Sequence, residues 1–481
     1  MYKKMFLLTT VMLSTSLSAA EYWVSPTGLD TNNCSTELAA CKSIQRGISL
    51  LNAGDKLYIK AGTYIEDSSK SSFTKRCGWF DPLVASLCIN QSGLPGQPIT
   101  ISAAPGDERK VIIDSQSIRA GVQIQGNDYI VFNGLTFKNQ HTVGIANWGQ
   151  AENAVADIAR LAEGIVVQNS SFFNTHGDAG GNTSSIAMWG SKDWVVRNNL
   201  IDGVTAGGST VASGIQSYGV INALVEHNTI RNAGFGIFWK DHYVKNSSTR
   251  EVWQESEIRY NYINVPKVGI RVSIRGDNSP EAGHNHFHHN IITGLENNGH
   301  GIEYAMAGAY GISGKLTVNN NLIDGQANTS TVGLSVDASR ELSVYGNIFR
   351  RLTVPLQLLK YSDTKLVSLA YADFNIYEPK MTIIVDRYSP STKQFTTLSG
   401  WSSVKIGSAL TVGINSPDSK SISVNSDALF DDHSKYTHHT KSPALNLLAS
   451  GKHAGPYETG TEVIGVSYAE SPPVSPKAVL K

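Results

Sequence analysis

Three ionisable residues, Lys240, Asp241 and His242, close the stretch GIFWKDH. Two arginines, Arg271 and Arg275, stand in the stretch GIRVSIRGD further along. An amine held near guanidinium groups gives up its proton more readily and can act as a general base. A guanidinium can also neutralise a carboxylate and stabilise the enolate formed when the neighbouring carbon loses a proton. A tyrosine can protonate a leaving oxygen. These types together suit proton abstraction beside a carboxylate, provided that the fold brings them onto one face.

That condition is set by a repeat. An apolar residue, two variable residues, Asn, one variable residue and another apolar residue recur around Asn133, Asn199, Asn228, Asn261, Asn290, Asn321 and Asn347, with a looser copy at Asn169. The spacing runs from 26 residues (Asn321 to Asn347) to 36 (Asn133 to Asn169). A second phrase keeps step with the first: GIANWG, SIAMWG, GIQSYG, GIFWKD, GIRVSI, GIEYAM, GLSVDA and PLQLLK. Each copy holds short runs of period-2 alternation between turns of Gly, Asn, Asp and Ser, so the repeats read as strands. The expected fold is all-β: a right-handed parallel β-helix with one coil per repeat. The Asn is expected in the left-handed region at one turn of each coil, its amide bonding the Asn stacked above or below.

Alternation then assigns faces. With each Ile of the Gly-Ile phrase pointing inward, Phe238, Lys240 and His242 point outward on one coil and Arg271, Ser273 and Arg275 on the next. Glu303 follows, then Ser335 and Asp337. On the preceding coils the outward set is Gln216 and Tyr218, then Trp189, then Trp148. Coils lie about 4.8 Å apart, so Lys240 stacks on Tyr218 and Ser273, with both arginines diagonal to it. Outward cations on a β-helix are ordinarily solvated. An aromatic row leading to a Tyr and three cations also forms a groove suited to an anionic polysaccharide, because sugar rings stack on aromatic faces.

The remaining sequence supplies context. The chain has 481 residues, with 40 basic and 40 acidic ones. This length exceeds one compact core but suits a solenoid, and the charge balance gives no case for nucleic acid. Residues 1–20 read as a signal peptide: a basic start at Lys3 and Lys4, a short apolar run and small residues at Ser18 and Ala20. A secreted or periplasmic monomer, not inserted in a membrane, is expected. Residues 21–93 read as an N-terminal cap with a helix over Lys42 to Leu51, 94–370 as coils, 371–470 as irregular closure and 471–481 as a disordered tail. Ala151 to Leu161 reads as a helical insertion and Tyr243 to Glu255 as a polar loop. Cys34, Cys41, Cys77 and Cys88 suggest two local disulfides, Cys34–Cys41 and Cys77–Cys88. In GHNHFHHN, alternation puts His286 and His288 on one face, where a metal is conceivable, away from the groove.

The cap, the Asn-marked coils and the Ser-Pro-Ala-Leu tail resemble secreted β-helix proteins, a group that contains many polysaccharide lyases. IFWKDH and GIRVSIRGD resemble, loosely, the paired strands of the chondroitinase B and alginate lyase family. That resemblance implies β-elimination on a uronate polymer, with Lys240 as base, Arg275 as acid or carboxylate clamp and Arg271 as its competitor. Tyr218 would assist the leaving oxygen, and Trp148, Trp189, His242, Ser273 and Glu303 would line the substrate. The family's acidic calcium ligands before the Lys are replaced here by Asn232 to Phe235. No cofactor is therefore certain; calcium is conceivable on Asp241, Glu303 and Asp337, which also fit ordinary surface carboxylates. A non-catalytic glycan-binding β-helix is the alternative. A glycoside hydrolase is a further one, needing two carboxylates such as Glu303 and Asp337 across one groove.

Overall fold

The computed structural model describes residues 19–466 apart from 73–83, 149–155, 158–160, 179–181, 208–210, 241–243, 247–248, 252–254, 275–282, 307–313, 328–329, 338, 340, 363–364, 388–391, 407–408, 410, 433–435, 439–440 and 460. The chain forms a parallel β-helix. Three long sheets run along it, of 12, 12 and 14 strands, and each sheet takes one strand from successive coils. The leading sheet holds the strands before the Asn turn, such as Val195–Arg197, and the following sheet those after it, such as Leu200–Ala206. The Gly-Ile sheet holds the second phrase, including Asn182–Lys192, Val211–Ile221, Phe235–Lys240, Val268–Ile274 and His300–Met306.

The interior is built from stacked identical positions. Ile145, Ile186, Ile215, Ile237, Ile270, Ile302, Leu334 and Leu356 pair in unbroken register along the Gly-Ile sheet, and all are fully buried. Where a glycine precedes the inward residue, as at Gly236, it has a steric reason. A Cβ on Gly236 would lie 2.5 Å from the carbonyl oxygen of Gly269 and 2.4 Å from a methyl of Ile263. The coils approach too closely at Gly236 for a side chain.

The buried polar ladder differs from expectation in two respects. Its members run Ser170, Asn199, Asn228, Asn261, Asn290, Asn321, Asn347 and Asn375, ending on Asp418. Asn133 and Asn169 lie outside it, on a separate outer chain through Ser102, Asn133, Asn169 and Asn198. The ladder residues are also not left-handed. The residue before each takes that conformation, as at Asn198, His227, Tyr260, His289 and Asn320. That bend points the next side chain inward, where the Asn261 amide donates to the carbonyls of Val225 and Arg259 and to Asn290. Each amide thus satisfies buried backbone groups that the turn would strand.

The helix expected over Lys42 to Leu51 spans Ile44–Ile48. Gln45 ties it to the first Gly-Ile strand, donating to the Cys88 carbonyl at 3.0 Å and accepting its N–H at 2.9 Å. Cys34–Cys41 is a disulfide. Cys88 is also disulfide-bonded, and Cys77 lies outside the described residues. The first insertion is not helical where it is described. Ala156–Asp157 is a strand that pairs with Val244–Asn246 of the second insertion, itself a hairpin with Thr249–Glu251 rather than a plain loop. Backbone hydrogen bonding between the two insertions overrides the helix propensity of the alanines.

The last part of the chain turns back. Residues after Ser426 run along the following sheet towards earlier coils: Gly455 donates to Gly346, Gly465 to Tyr260, and the Val463 carbonyl meets His227. This strap buries Tyr262, Ile291, Leu322, Ile348 and Ile376 under Leu429, Phe430, Tyr436, Tyr457 and Ile464.

Candidate functional site

The outward face of the Gly-Ile sheet carries two parallel rows. One is Trp148, Trp189, Tyr218, Lys240, Ser273 and Ala305, each paired in register with the next. The other is Gln216, Phe238, Arg271, Glu303, Ser335 and Gln357. The backbone register therefore brings Tyr218, Lys240 and Ser273 together as alternation predicted, with Arg271 one row away. The side chains of Trp148 and Lys240, and all of Asp241, His242 and Arg275, lie outside the described residues.

The described side chains form two groups. Trp189 and Tyr218 pack edge to face, with ring centroids 4.6 Å apart. Burial pushes the Tyr218 phenol well above the ordinary tyrosine range. The phenol therefore keeps its proton near neutral pH and can offer an O–H hydrogen bond, and it does not serve as a base. Phe238 of the second row stacks on Phe235 of its own strand at 5.5 Å, and the Arg271 guanidinium lies 5.4 Å from the Phe238 ring centre. Arg271 Nε is 3.4 Å from Glu303 Oε2. The Arg271 charge is thus already matched, which distinguishes it from a free carboxylate clamp. His300, on the same strand as Glu303, is held below the usual histidine range by burial, opposed by the Glu303 charge.

Outward parity does not mean exposure here. Gln123 and Gln216 are completely buried although their parity is outward, and Phe238 is 4% exposed. Gln216 has no hydrogen-bond partner for either amide atom among the described residues. Asp337 is buried too. The carboxylate pair considered for a glycoside hydrolase therefore consists of a buried Asp337 and a Glu303 held by Arg271. Asp241, the third carboxylate considered for calcium, lies outside the described residues.

No protein-family model matches the sequence, and no curated protein matches it. Solved structures similar to it include a rhamnogalacturonan lyase, at 13% identity over 86% of this chain and 91% of that one, with a TM-score of 0.42. Pectate lyase Pel9A is 15% identical over 92% of this chain and 97% of its own, with a TM-score of 0.39. A mannuronic acid specific family 6 lyase from human gut microbiota is 13% identical, covering 75% and 76%, with a TM-score of 0.42. The likeness is in coil architecture and says nothing of which residues react.

The connections that follow the Gly-Ile strands Val143–Trp148 and Phe235–Lys240 carry short strands, Ala156–Asp157 in the first and Val244–Asn246 with Thr249–Glu251 in the second, which pair as a three-stranded sheet. Sequence reasoning missed this pairing because it joins segments nearly ninety residues apart, with no repeat signal in either. Among the described residues no helix is long and apolar enough to cross a membrane.

Proposed function

We propose that the chain is a secreted polysaccharide lyase that cleaves an anionic, uronate-containing polysaccharide by β-elimination on the outward Gly-Ile face. The carrying observation is the register that stacks Trp189, Tyr218, Lys240 and Ser273 in one row beside Arg271. In this reading sugar rings lie against the aromatic row. The neutral Lys240 amine takes the proton from C5, beside the uronate carboxylate, and Arg275 stabilises the developing enolate. The C4–O bond breaks, the C4=C5 double bond forms, and the protonated Tyr218 phenol supplies the proton to the leaving oxygen. Arg271 orients the substrate through its edge once the carboxylate competes with Glu303. The N-terminal signal directs export, and the chain acts as a monomer.

The test is incubation with alginate, pectate and glycosaminoglycans, with and without calcium, following absorbance of the unsaturated product. Lys240→Ala should lower turnover at least 10²-fold, the smaller end of general-base contributions, with the fold intact by circular dichroism. Unchanged turnover removes Lys240 as base. Binding without product on every polymer favours a glycan-binding protein instead, a reading that the matched Arg271–Glu303 pair also suits.

A further inference from the structure

The histidine-rich strand His284–His288 lies in the leading sheet, away from the groove. His286 and His288 share its outward face, ring centroids 4.1 Å apart. Glu257 is paired in register with His286 on the preceding coil. One ligand atom from each of Glu257, His286 and His288 lies within 4.8 Å of the others. Glu257 is 37% exposed and leaves the cluster open to solvent on one side.

The hydrogen bonds around this trio define its tautomers. Asn319 gives its Nδ2 to Asn320 at 2.9 Å, so its Oδ1 faces His286 Nε2 at 2.6 Å. His286 must carry its proton on Nε2, which leaves the Nδ1 lone pair free. His288 Nε2 is 2.8 Å from Glu257 Oε1, and its Nδ1 is 2.6 Å from His289 Nδ1. With His288 donating its Nε2–H to Glu257 in a hydrogen bond, its Nδ1 accepts from the His289 Nδ1–H, and the buried His289 Nε2 has no proton. That nitrogen then faces Glu458 Oε2 at 3.4 Å with no hydrogen bond.

We propose that Glu257, His286 and His288 bind a divalent transition metal of the zinc class. Two imidazoles and one carboxylate match that class, and water completes a tetrahedron. Calcium, which takes six to eight oxygens, does not fit. Metal at His288 Nε2 shifts the proton to its Nδ1, which then donates to His289 Nδ1. His289 in turn carries its proton on Nε2 and donates to Glu458. No proton is gained or lost overall, and the orphaned nitrogen becomes satisfied. Glu458 belongs to the returning strap, so the ion would fasten the strap to the coils through His289. Ligand atoms around a tetrahedral ion with bonds of about 2.0–2.1 Å stand roughly 3.3 Å apart, so the Glu257–His288 contact opens by about half an ångström. Arg259, which also donates to Glu257 Oε1 at 2.7 Å, keeps two bonds to Glu226 when it yields.

The test uses the full chain without an affinity tag, stripped by a chelator and titrated with cobalt(II) and zinc(II). One equivalent of cobalt should bind at micromolar concentration with the visible bands of a tetrahedral ion, and zinc should displace it and raise Tm. Calcium should do neither. Glu257→Gln and His286→Gln, both at half-exposed positions, should each weaken binding at least tenfold, and Glu458→Gln should reduce the Tm gain while keeping the cobalt bands. Absence of stoichiometric binding, or equal affinity in the Glu257→Gln/His286→Gln double variant, overturns the proposal.

Discussion

Individual side chains on the candidate face are held by partners whose removal has readable consequences. Glu303 occupies the Arg271 guanidinium at 3.4 Å. Glu303→Gln should release that charge to a uronate carboxylate and lower KM for the cleaved polymer about three- to tenfold, with kcat little changed. A KM that is unchanged or higher places Arg271 away from the substrate. Elsewhere, Glu66 caps the helix Ile44–Ile48, accepting from the Ile44 N–H at 2.7 Å, and burial pushes its carboxyl from 4.5 up to about 7. The folded state therefore holds this proton more tightly than the unfolded chain. Its contribution to stability is fully present below about pH 4.5 and declines as pH rises to about 7, by on the order of 1.4 kcal/mol per pH unit at most. Glu66→Gln keeps an acceptor for the helix and should flatten this slope in denaturation series between pH 4.5 and 8. An unchanged slope would show that Glu66 is not the titrating group. The composition around Glu66 gave no hint of this, because the helix N–H groups it meets lie 22 residues earlier.

At the level of elements, the coil is held by contacts repeated at each rung. Asn261 accepts from the Asn228 N–H and amide, and donates to Val225, Arg259 and Asn290. Asn261→Ala strands several of these buried groups, at about 1–3 kcal/mol for each left unsatisfied. The loss should appear as faster amide exchange in the coils on either side of residue 261, since each coil is stabilised mainly by its neighbours. Uniform exchange along the chain would contradict a local ladder. The ladder was visible in the sequence at Asn199, Asn228, Asn261, Asn290, Asn321 and Asn347. Asn133 and Asn169 misled because the motif tolerates a shift of one or two residues. Only backbone geometry, with the left-handed residue immediately before the ladder position, separates the inner chain from the outer one.

Across the whole molecule, the returning strap closes a flank that the coils leave apolar. Asp324, fully buried, is bound by Arg350 at 2.7 Å, by Arg351 at 2.6 Å and by the Tyr436 hydroxyl at 3.0 Å. Ending the chain after Ser423 removes Tyr436 and uncovers Tyr262, Ile291, Leu322 and Ile348. The truncated protein should bind a hydrophobic dye and aggregate on mild heating, because so large an exposed apolar patch is unstable in water. A soluble, non-binding truncation would show that the strap is dispensable. The sequence does carry a sign of the strap: the two residues after each ladder Asn are both apolar in NYI, NII, NLI and NIF. Consecutive apolar residues in a strand mean that both faces are covered.

The sequence by itself determined the coil, its register and the row that joins Trp189, Tyr218, Lys240 and Ser273, because a repeat and a period of two are local properties that stacking carries unchanged from rung to rung. Tertiary structure decided what that parity could not. It buried the outward Gln216 and Phe238, matched Arg271 with Glu303, paired the two insertions and returned the tail to within a hydrogen bond of His227, 236 residues away in the chain. Such contacts join non-repeating segments, whose positions are set by packing against the finished coil rather than by any pattern within themselves.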